Sequence, residues 1–480
     1  MEPIKEEPGF AHLHVHSEYS LLDGMSKIKK LVQKVKKAGM NACAITDHGV
    51  CYGLADFYNV CKAEGIKPIL GCECYEAPGS RFDKSSGNEE RYYHLILLVK
   101  NEIGYKNLCH LISRSNMEGF YYKPRIDFEL LEQFHEGLIC MSACLAGRVP
   151  KMILKGLDTG DMSEAEQTIL KYKNLFGDDY YLEIQNHGIV EEQKVANELV
   201  RFSNKFGIKL VCTNDCHYVD HEDKEAHEYL LCIQTKKTID DPDRMVYYGD
   251  YSVKTEAEMR QLFPSLPEAF DNTMEIADKC NFEFEFGNYR MPKVHIPKEY
   301  GKDYFRYLED EAWKGWEKRY PLGHMERETA RKDLEYELGV VKQMGFAEYF
   351  IDTRKTIMWA RSHGILVGPG RGSAAGSRMC YCLGITDIDP IPYNLLFERF
   401  LNPERISMPD IDVDYDYSHK DEVIAFEAED NGKDHFSKIQ TFTTMNAKGI
   451  VRDIARVAGY PPSVGSKIAG FIPKDPKMTL

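Results

Sequence analysis

No stretch of the 480-residue chain approaches the roughly 18 uninterrupted apolar residues that a membrane-spanning helix requires. The opening segment MEPIKEEPGF has neither the basic nor the apolar portion of a secretory signal, so the sequence reads as a cytoplasmic protein with no membrane partner. A dense disulfide framework is also missing. The 14 cysteines read as reduced, mostly core thiols, including the CxC pairs Cys72/Cys74 and Cys380/Cys382, neither of which has a second half at zinc-ribbon spacing. Positive charge is in deficit: the formal net charge is −15, which argues mildly against tight duplex binding by this chain alone but suits a carboxylate-rich metal site. Repeats and low-complexity stretches are absent. What remains is an ordinary globular composition, 43% hydrophobic and 29% charged, with length for two to four domains.

Seven short apolar runs recur through the first half. They are HLHVHS near Leu13, ACAITDHG at Ala42–Gly49, PILGCECY at Pro68–Tyr75, HLILLVKN at His94–Asn101, LICMSACL at Leu138–Leu145, YYLEIQNH at Tyr180–His187 and KLVCTNDCH at Lys209–His217. Helix-like patterns such as Ile28–Ala38 and Ser163–Phe176 lie between several of them. Buried strands alternating with helices predict a parallel sheet, and seven of them suggest a closed βα barrel. Almost every run ends, or nearly ends, in His, Asp, Glu or Cys, and in such a barrel the C-terminal strand ends converge on one face.

Nine residues stand out there as potential metal ligands. His14 and His16 alternate on one strand, and Asp23 follows in LLDG. His48 ends the second run, Glu73 the third, His94 opens the fourth, and Cys144 ends the fifth; Asp215 and His217 repeat the alternating pair on the last. Imidazoles with hard and soft donors suit zinc, manganese or iron, and several such ions together suit phosphoester hydrolysis. His12, His110 and His187 read as structural or surface residues, and Asp47 as a partner that orients an imidazole.

A second region begins near Asn288, with charged amphipathic helices expected at Glu309–Tyr320 and Glu326–Met344. The turn GPGRGSAAGS then sets Gly368, Gly370 and Gly372 around Arg371, with Ser373 next. Glycines let backbone N–H groups approach phosphate, and the guanidinium adds charge-assisted bonds; no GK[ST] follows, so this is not a P-loop. Asp410, Asp412 and Asp414 alternate with Ile411 and Val413, which on a strand would put three carboxylates on one face, a spacing that suits two Mg²⁺ ions of an in-line phosphoryl transfer.

The first set of motifs, HLHVHS through TNDCH, resembles the polymerase-and-histidinol-phosphatase (PHP) family. That resemblance implies a distorted seven-stranded βα barrel with about three ions, Zn²⁺ or Mn²⁺, and all nine ligand positions look filled. It also implies 3′-to-5′ exonuclease activity on DNA. The second set, GPGRGSAAGS through LLFERFLNPERISMPDIDVDY, is similar to the palm of the C-family DNA polymerases. The two together imply an α/β PHP domain over 10–287, an α+β polymerase palm over 288–440 and an incomplete helical thumb over 441–480. By the same resemblance Asp410 and Asp412 bind catalytic Mg²⁺ and Asp414 supports them. Gly372 and Ser373 meet the incoming triphosphate beside Gly370, with Arg371, Arg399 and Arg405 as further phosphate partners. The implied partners are DNA primer-template, deoxynucleoside triphosphates and a proofreading subunit. The family's third catalytic aspartate and its clamp-binding region have no counterpart here, so the expectation is a fragment that does not polymerise DNA alone. The alternatives are a stand-alone phosphoesterase and a non-catalytic, metal-stabilised scaffold.

Overall fold

The computed structural model describes residues 9–85, 90–402, 404 and 408–473. They form two compact units, one of Met1–Phe284 with Thr444–Leu480 and the other of Glu285–Thr443.

The first unit is built on seven strands: β1 (Ala42–Ile45), β2 (Lys67–Glu76), β3 (Tyr93–Val99), β4 (Arg125–Ile126), β5 (Leu138–Met141), β6 (Tyr180–Ile184) and β7 (Leu210–Cys212). Their order is β1-β2-β3-β5-β6-β7, with β4 paired to the end of β2. Residues 12–16 close the ring. Val15 bridges Cys216 beyond β7, and His12 bridges Cys43 of β1. The hydrogen bonds Ala44 N to His12 O (2.8 Å) and His16 N to Cys216 O (2.7 Å) complete the seam. The barrel is therefore closed by the run that carries the first two histidines.

The sheet is not wholly parallel, as the sequence pattern suggested. β3 runs antiparallel to both β2 and β5, with Glu73 opposite Ile96 and Leu97 opposite Cys140. An apolar run fixes burial but not direction. The reversal explains why His94 opens its strand while the other ligand-type residues close theirs: on an antiparallel strand the first residue reaches the face where its neighbours end.

Inside the ring Leu13, Ala44, Ile69, Ile96, Leu98, Met141, Tyr181 and Val211 form a buried cluster. Glu73 shares the β2 face of Ile69, so it caps this inner layer. Outside, Phe10, Val15, Leu31, Phe57, Leu108, Ile153 and Phe202 belong to the larger cluster beneath the surrounding helices. The chain bends at His14, which breaks the period of two. Leu13 stays with the inner cluster, while the His12 ring lies against Phe10 of the outer one at 4.8 Å. Close approaches are made by glycine: a Cβ on Gly104 would lie 1.9 Å from the Gly137 carbonyl oxygen.

The second unit packs helices Tyr304–Arg319, Arg327–Met344, Ala347–Ser362 and Arg378–Leu383 around Leu308, Ala312, Leu334, Leu338, Phe350 and Met379. The chain at 410–414 is extended without an assigned strand, and its pairing is an antiparallel bridge between Val367 and Tyr415. Among the described residues no helix is long and apolar enough to cross a membrane.

Candidate metal centre

The nine ligand-type residues come from seven separate stretches of chain, and eight of them meet through the close contacts of one network with Glu73 at its hub. The Glu73 carboxylate lies 2.7 Å from His48 Nδ1, 2.7 Å from His94 Nδ1, 3.2 Å from His16 Nε2 and 3.4 Å from His14 Nε2. Asp215 Oδ1 lies 3.0 Å from His14 Nε2 and 3.1 Å from His16 Nε2. Asp23 Oδ2 faces His48 Nε2 at 3.4 Å and His217 Nε2 at 4.0 Å. The ninth, Cys144, closes one side, its Sγ 3.7 Å from His94 Nδ1.

Three overlapping groups have ligand atoms within 4.8 Å of one another: His16, His48 and His217; His14, His16 and Glu73; and His48, Glu73 and His94. His14 Nε2, His16 Nε2, Asp23 Oδ1, His48 Nδ1, Glu73 Oε2 and Asp215 Oδ1 are buried and accept or donate no hydrogen bond in proper geometry. Six such atoms in one chamber would be costly in a plain core, where buried polar groups are paired. Imidazole nitrogens and carboxylate oxygens converging in this way fit divalent metal ions.

The opposite ends of the ligands are held. His14 Nδ1 and Glu183 Oε1 are 2.7 Å apart, and Glu183 also accepts from Thr213 Oγ1 at 2.6 Å. Asp47 accepts from Ser20 Oγ at 2.8 Å, and Ser20 Oγ meets His16 Nδ1 at 2.9 Å. Asp47 thus orients an imidazole through a serine rather than directly. Tyr247 donates to Asp23 at 3.0 Å. His12 and His187 are spent on the frame: His12 Nε2 meets Lys254 O, and His187 stands between Glu192 and Asn214 O. Glu183, Ser20 and Tyr247 escaped the sequence reading. Glu183 had a signal, an acidic residue inside an apolar run.

The electrostatics follow from burial and crowding. Burial opposes charge on Glu73, yet His94, His48 and His14 hold its carboxyl well below the usual range. Burial also opposes charge on His14, and Asp215, Glu183 and Glu73 reverse that, raising its pKa. His217, buried beside His16, is pushed down to about 3, which keeps it neutral, the form that ligates metal.

In the second unit the glycine-rich turn meets the aspartates. Gly368 N donates to Asp414 O at 2.8 Å. Gly372 has φ +68°, a conformation that favours glycine, and a Cβ there would lie 2.9 Å from Asp412 Oδ2. Arg371 reaches Asp412 at 3.1 Å and Asp414 at 3.5 Å. Ser373 lies in the short helical turn Gly372–Gly376, and Gly370 packs on Thr386. Asp410 is exposed, and Arg399 forms no ion pair among the described residues. Arg405 lies outside the described residues. The turn is anchored from below by Glu337, a buried residue that the sequence reading passed over. Its carboxylate accepts from Ser377 Oγ (2.7 Å), Arg378 N (2.8 Å) and Met379 N (2.8 Å).

Residues 12–187 match the PHP domain model, which defines the first unit's class: a PHP barrel with its cluster of ligand-type side chains at one mouth. Residues 306–480 match the bacterial DNA polymerase III alpha NTPase domain. The chain is 48% identical over 476 residues to DNA polymerase III subunit alpha of Treponema pallidum, with 98% of this chain and 40% of that protein covered. It is 45% identical over 475 residues to the same subunit of Borreliella burgdorferi, covering 98% of this chain and 41% of the relative. With that of Thermus aquaticus the identity is 42% over 526 residues, covering 97% and 43%. Nearly the whole chain is thus similar to DNA polymerase III alpha subunits, and it spans about two-fifths of the length of these relatives.

Proposed function

We propose that the barrel is a divalent-metal phosphoesterase acting on the 3′ end of DNA, and that the glycine-rich turn with Asp410 and Asp412 is part of the nucleotidyl-transfer centre of a DNA polymerase. The convergence of six buried ligand atoms that make no hydrogen bond in proper geometry carries the first reading. His14, His16, Asp23, His48, Glu73, His94, Cys144, Asp215 and His217 would hold about three ions, Zn²⁺ or Mn²⁺. Such ions, when bound, stabilise charge on phosphoryl oxygens and lower the pKa of water. The protein's part is to keep the ligands oriented. Glu183 fixes the His14 tautomer, Ser20 with Asp47 aims His16, and Tyr247 pins Asp23. The chamber opens into a cavity of about 310 Å³ lined by Tyr75, Tyr92 and Tyr251, room for one terminal nucleotide.

In the second unit Asp410 and Asp412 offer hard oxygen donors suited to Mg²⁺, and the Gly372 cradle leaves space beside Asp412 that a side chain would fill. Arg371 and Ser373 would meet a deoxynucleoside triphosphate, with primer-template DNA and a proofreading subunit as the other partners. Two carboxylates rarely fix both metals with the precision such transfer needs, so this chain alone is not expected to extend a primer.

The test is degradation of a 3′-labelled single strand with Mn²⁺ or Zn²⁺, run beside primer extension, for the chain and for a His14→Ala, Asp215→Ala double variant. Hydrolysis lost in the variant supports the phosphoesterase. Stoichiometric metal without hydrolysis would leave a metal-stabilised scaffold. Primer extension by the chain would overturn the claim about the palm.

A further inference from the structure

Backbone strain marks the barrel's working face. Among the described residues only five other than glycine have positive φ: Tyr122, Ala143, Asp215, Lys236 and Asn394. Such conformations cost free energy and persist where a neighbouring group must be placed. Asp215 (φ 44°) is itself in the metal cluster, and Ala143 (φ 63°) precedes Cys144. Tyr122 (φ 61°) precedes Lys123, which belongs to no ligand set.

Lys123 lines the cavity outside the cluster, and among the described residues it is the one lysine or arginine that does so; Asp23, Asp215 and Glu192 line the same space. It is half-buried and forms no ion pair among the described residues. Its Nζ sits 5.2 Å from the centre of the Tyr75 ring, which also neighbours Tyr92 at 4.9 Å and the imidazoles of His94 at 5.3 Å and His48 at 5.8 Å. The turn that presents it is fixed against the site. Gly49, next to His48, has φ +61°, and a Cβ there would lie 3.0 Å from both Pro124 Cγ and the Tyr75 ring. Tyr121 N donates to Lys123 O at 3.0 Å, closing the turn.

A free cation held one ring's width from the cluster, at the mouth of a carboxylate-lined chamber, answers a specific difficulty. A nucleic-acid strand is a polyanion, and those carboxylates repel every phosphate except the one at the metals. We propose that Lys123 is a specificity-determining residue that grips the phosphate next to the scissile one, selecting a nucleic-acid strand over a small phosphate ester. The proposal rests on the phosphoesterase reading of this chamber.

Two measurements on the full chain separate the two claims. The first is binding of a fluorescent single-stranded oligonucleotide with a free 3′ end, read by anisotropy with Mn²⁺ present. The second is steady-state hydrolysis of that strand and of p-nitrophenyl phosphate. Lys123→Met keeps the aliphatic stem on Tyr75, and Lys123→Arg keeps the charge. The methionine variant should weaken oligonucleotide binding and raise its KM about tenfold or more, the order of one charge-assisted hydrogen bond. Its KM for p-nitrophenyl phosphate should hardly move, and Lys123→Arg should restore most of the oligonucleotide effect. Unchanged oligonucleotide affinity in Lys123→Met overturns the proposal, whether or not the strand is cut. So does an equal rise in both KM values, which would place Lys123 on the reacting phosphate. If the wild-type chain cuts neither substrate, the phosphoesterase reading falls, and the anisotropy series alone decides for or against Lys123.

Discussion

Each unit gathers carboxylates, but at different depth and in different company. In the barrel the Glu73 side chain is 1% exposed and Asp215 9%, and imidazoles crowd both. In the second unit the Asp412 and Asp414 side chains are 37% and 65% exposed, and one arginine, itself 56% exposed, spans them. Charges in the first place interact at low dielectric and are fixed before any ligand arrives; those in the second are screened by water and free to rearrange. The first arrangement suits resident metal ions. The second suits a site that is completed only when substrate and metal arrive together.

The sharpest way to break this contrast is to remove its hub. Glu73→Ala should release metal and lower hydrolysis by more than about 100-fold, beyond the range for loss of a mere supporting partner. Metal content by plasma mass spectrometry and the 3′-end assay check it. Retention of metal at wild-type stoichiometry would show that Glu73 is packing rather than a ligand.

Glu337 is a buried exception in the second unit and titrates in an accessible range. Burial outweighs its three hydrogen bonds and lifts its pKa from 4.5 to about 7. Between those values the folded protein keeps a proton that the unfolded chain has released. Its contribution to stability is therefore full below pH 4.5 and lost as pH rises through about 7, ~3 kcal/mol in all. Denaturant unfolding of the wild type and Glu337→Gln at pH 4.5, 6 and 8 measures it. The difference between the two proteins should change by that amount in favour of the variant; a flat difference would mean that the carboxyl titrates normally.

A smaller effect tests the frame of the barrel. Glu183→Gln leaves all nine ligand-type residues in place but replaces the charged acceptor that sets the His14 tautomer with a neutral amide, which can also turn its NH₂ toward the ring. Metal affinity should fall about 10–100-fold. Titration with Zn²⁺ against a chelating indicator would detect it, and an unchanged affinity would reduce Glu183 to a core polar group satisfied by Thr213 and Gln185.

How much of this was readable beforehand depended on what each signal encodes. Six of the seven runs are strands of the barrel and the first joins it through isolated bridges, and the ligand-type residues cluster, because polar side chains at the ends of apolar strands have few other reasons to be there. The direction of β3 was not readable, since alternation and burial look the same either way along a strand. Glu183 was overlooked because it sits mid-strand, and Lys123 because its run, FYYKPR, is a turn whose placement depends on Gly49 and Tyr75 far away in sequence. The extended chain at 410–414 kept its alternation, with Ile411 and Val413 packed on the core, without gaining a strand ladder. Periodicity reports which side is buried; it does not report the pairing partner.

The mildest change separates two roles for Arg371. Its pairs with Asp412 and Asp414 are solvent-exposed, and such pairs contribute between nothing and about 1 kcal/mol. Arg371→Ala should therefore shift unfolding by no more than that. If the guanidinium instead serves an incoming triphosphate, the same variant should bind inorganic triphosphate about tenfold more weakly, as loss of one charge-assisted contact would produce. Calorimetric unfolding and isothermal titration with triphosphate read the two quantities on one protein. A stability loss well above 1 kcal/mol with unchanged triphosphate binding would make Arg371 a structural tie. The second site would then be as fixed as the barrel's, and the contrast between a buried, preorganised centre and an open one would no longer hold.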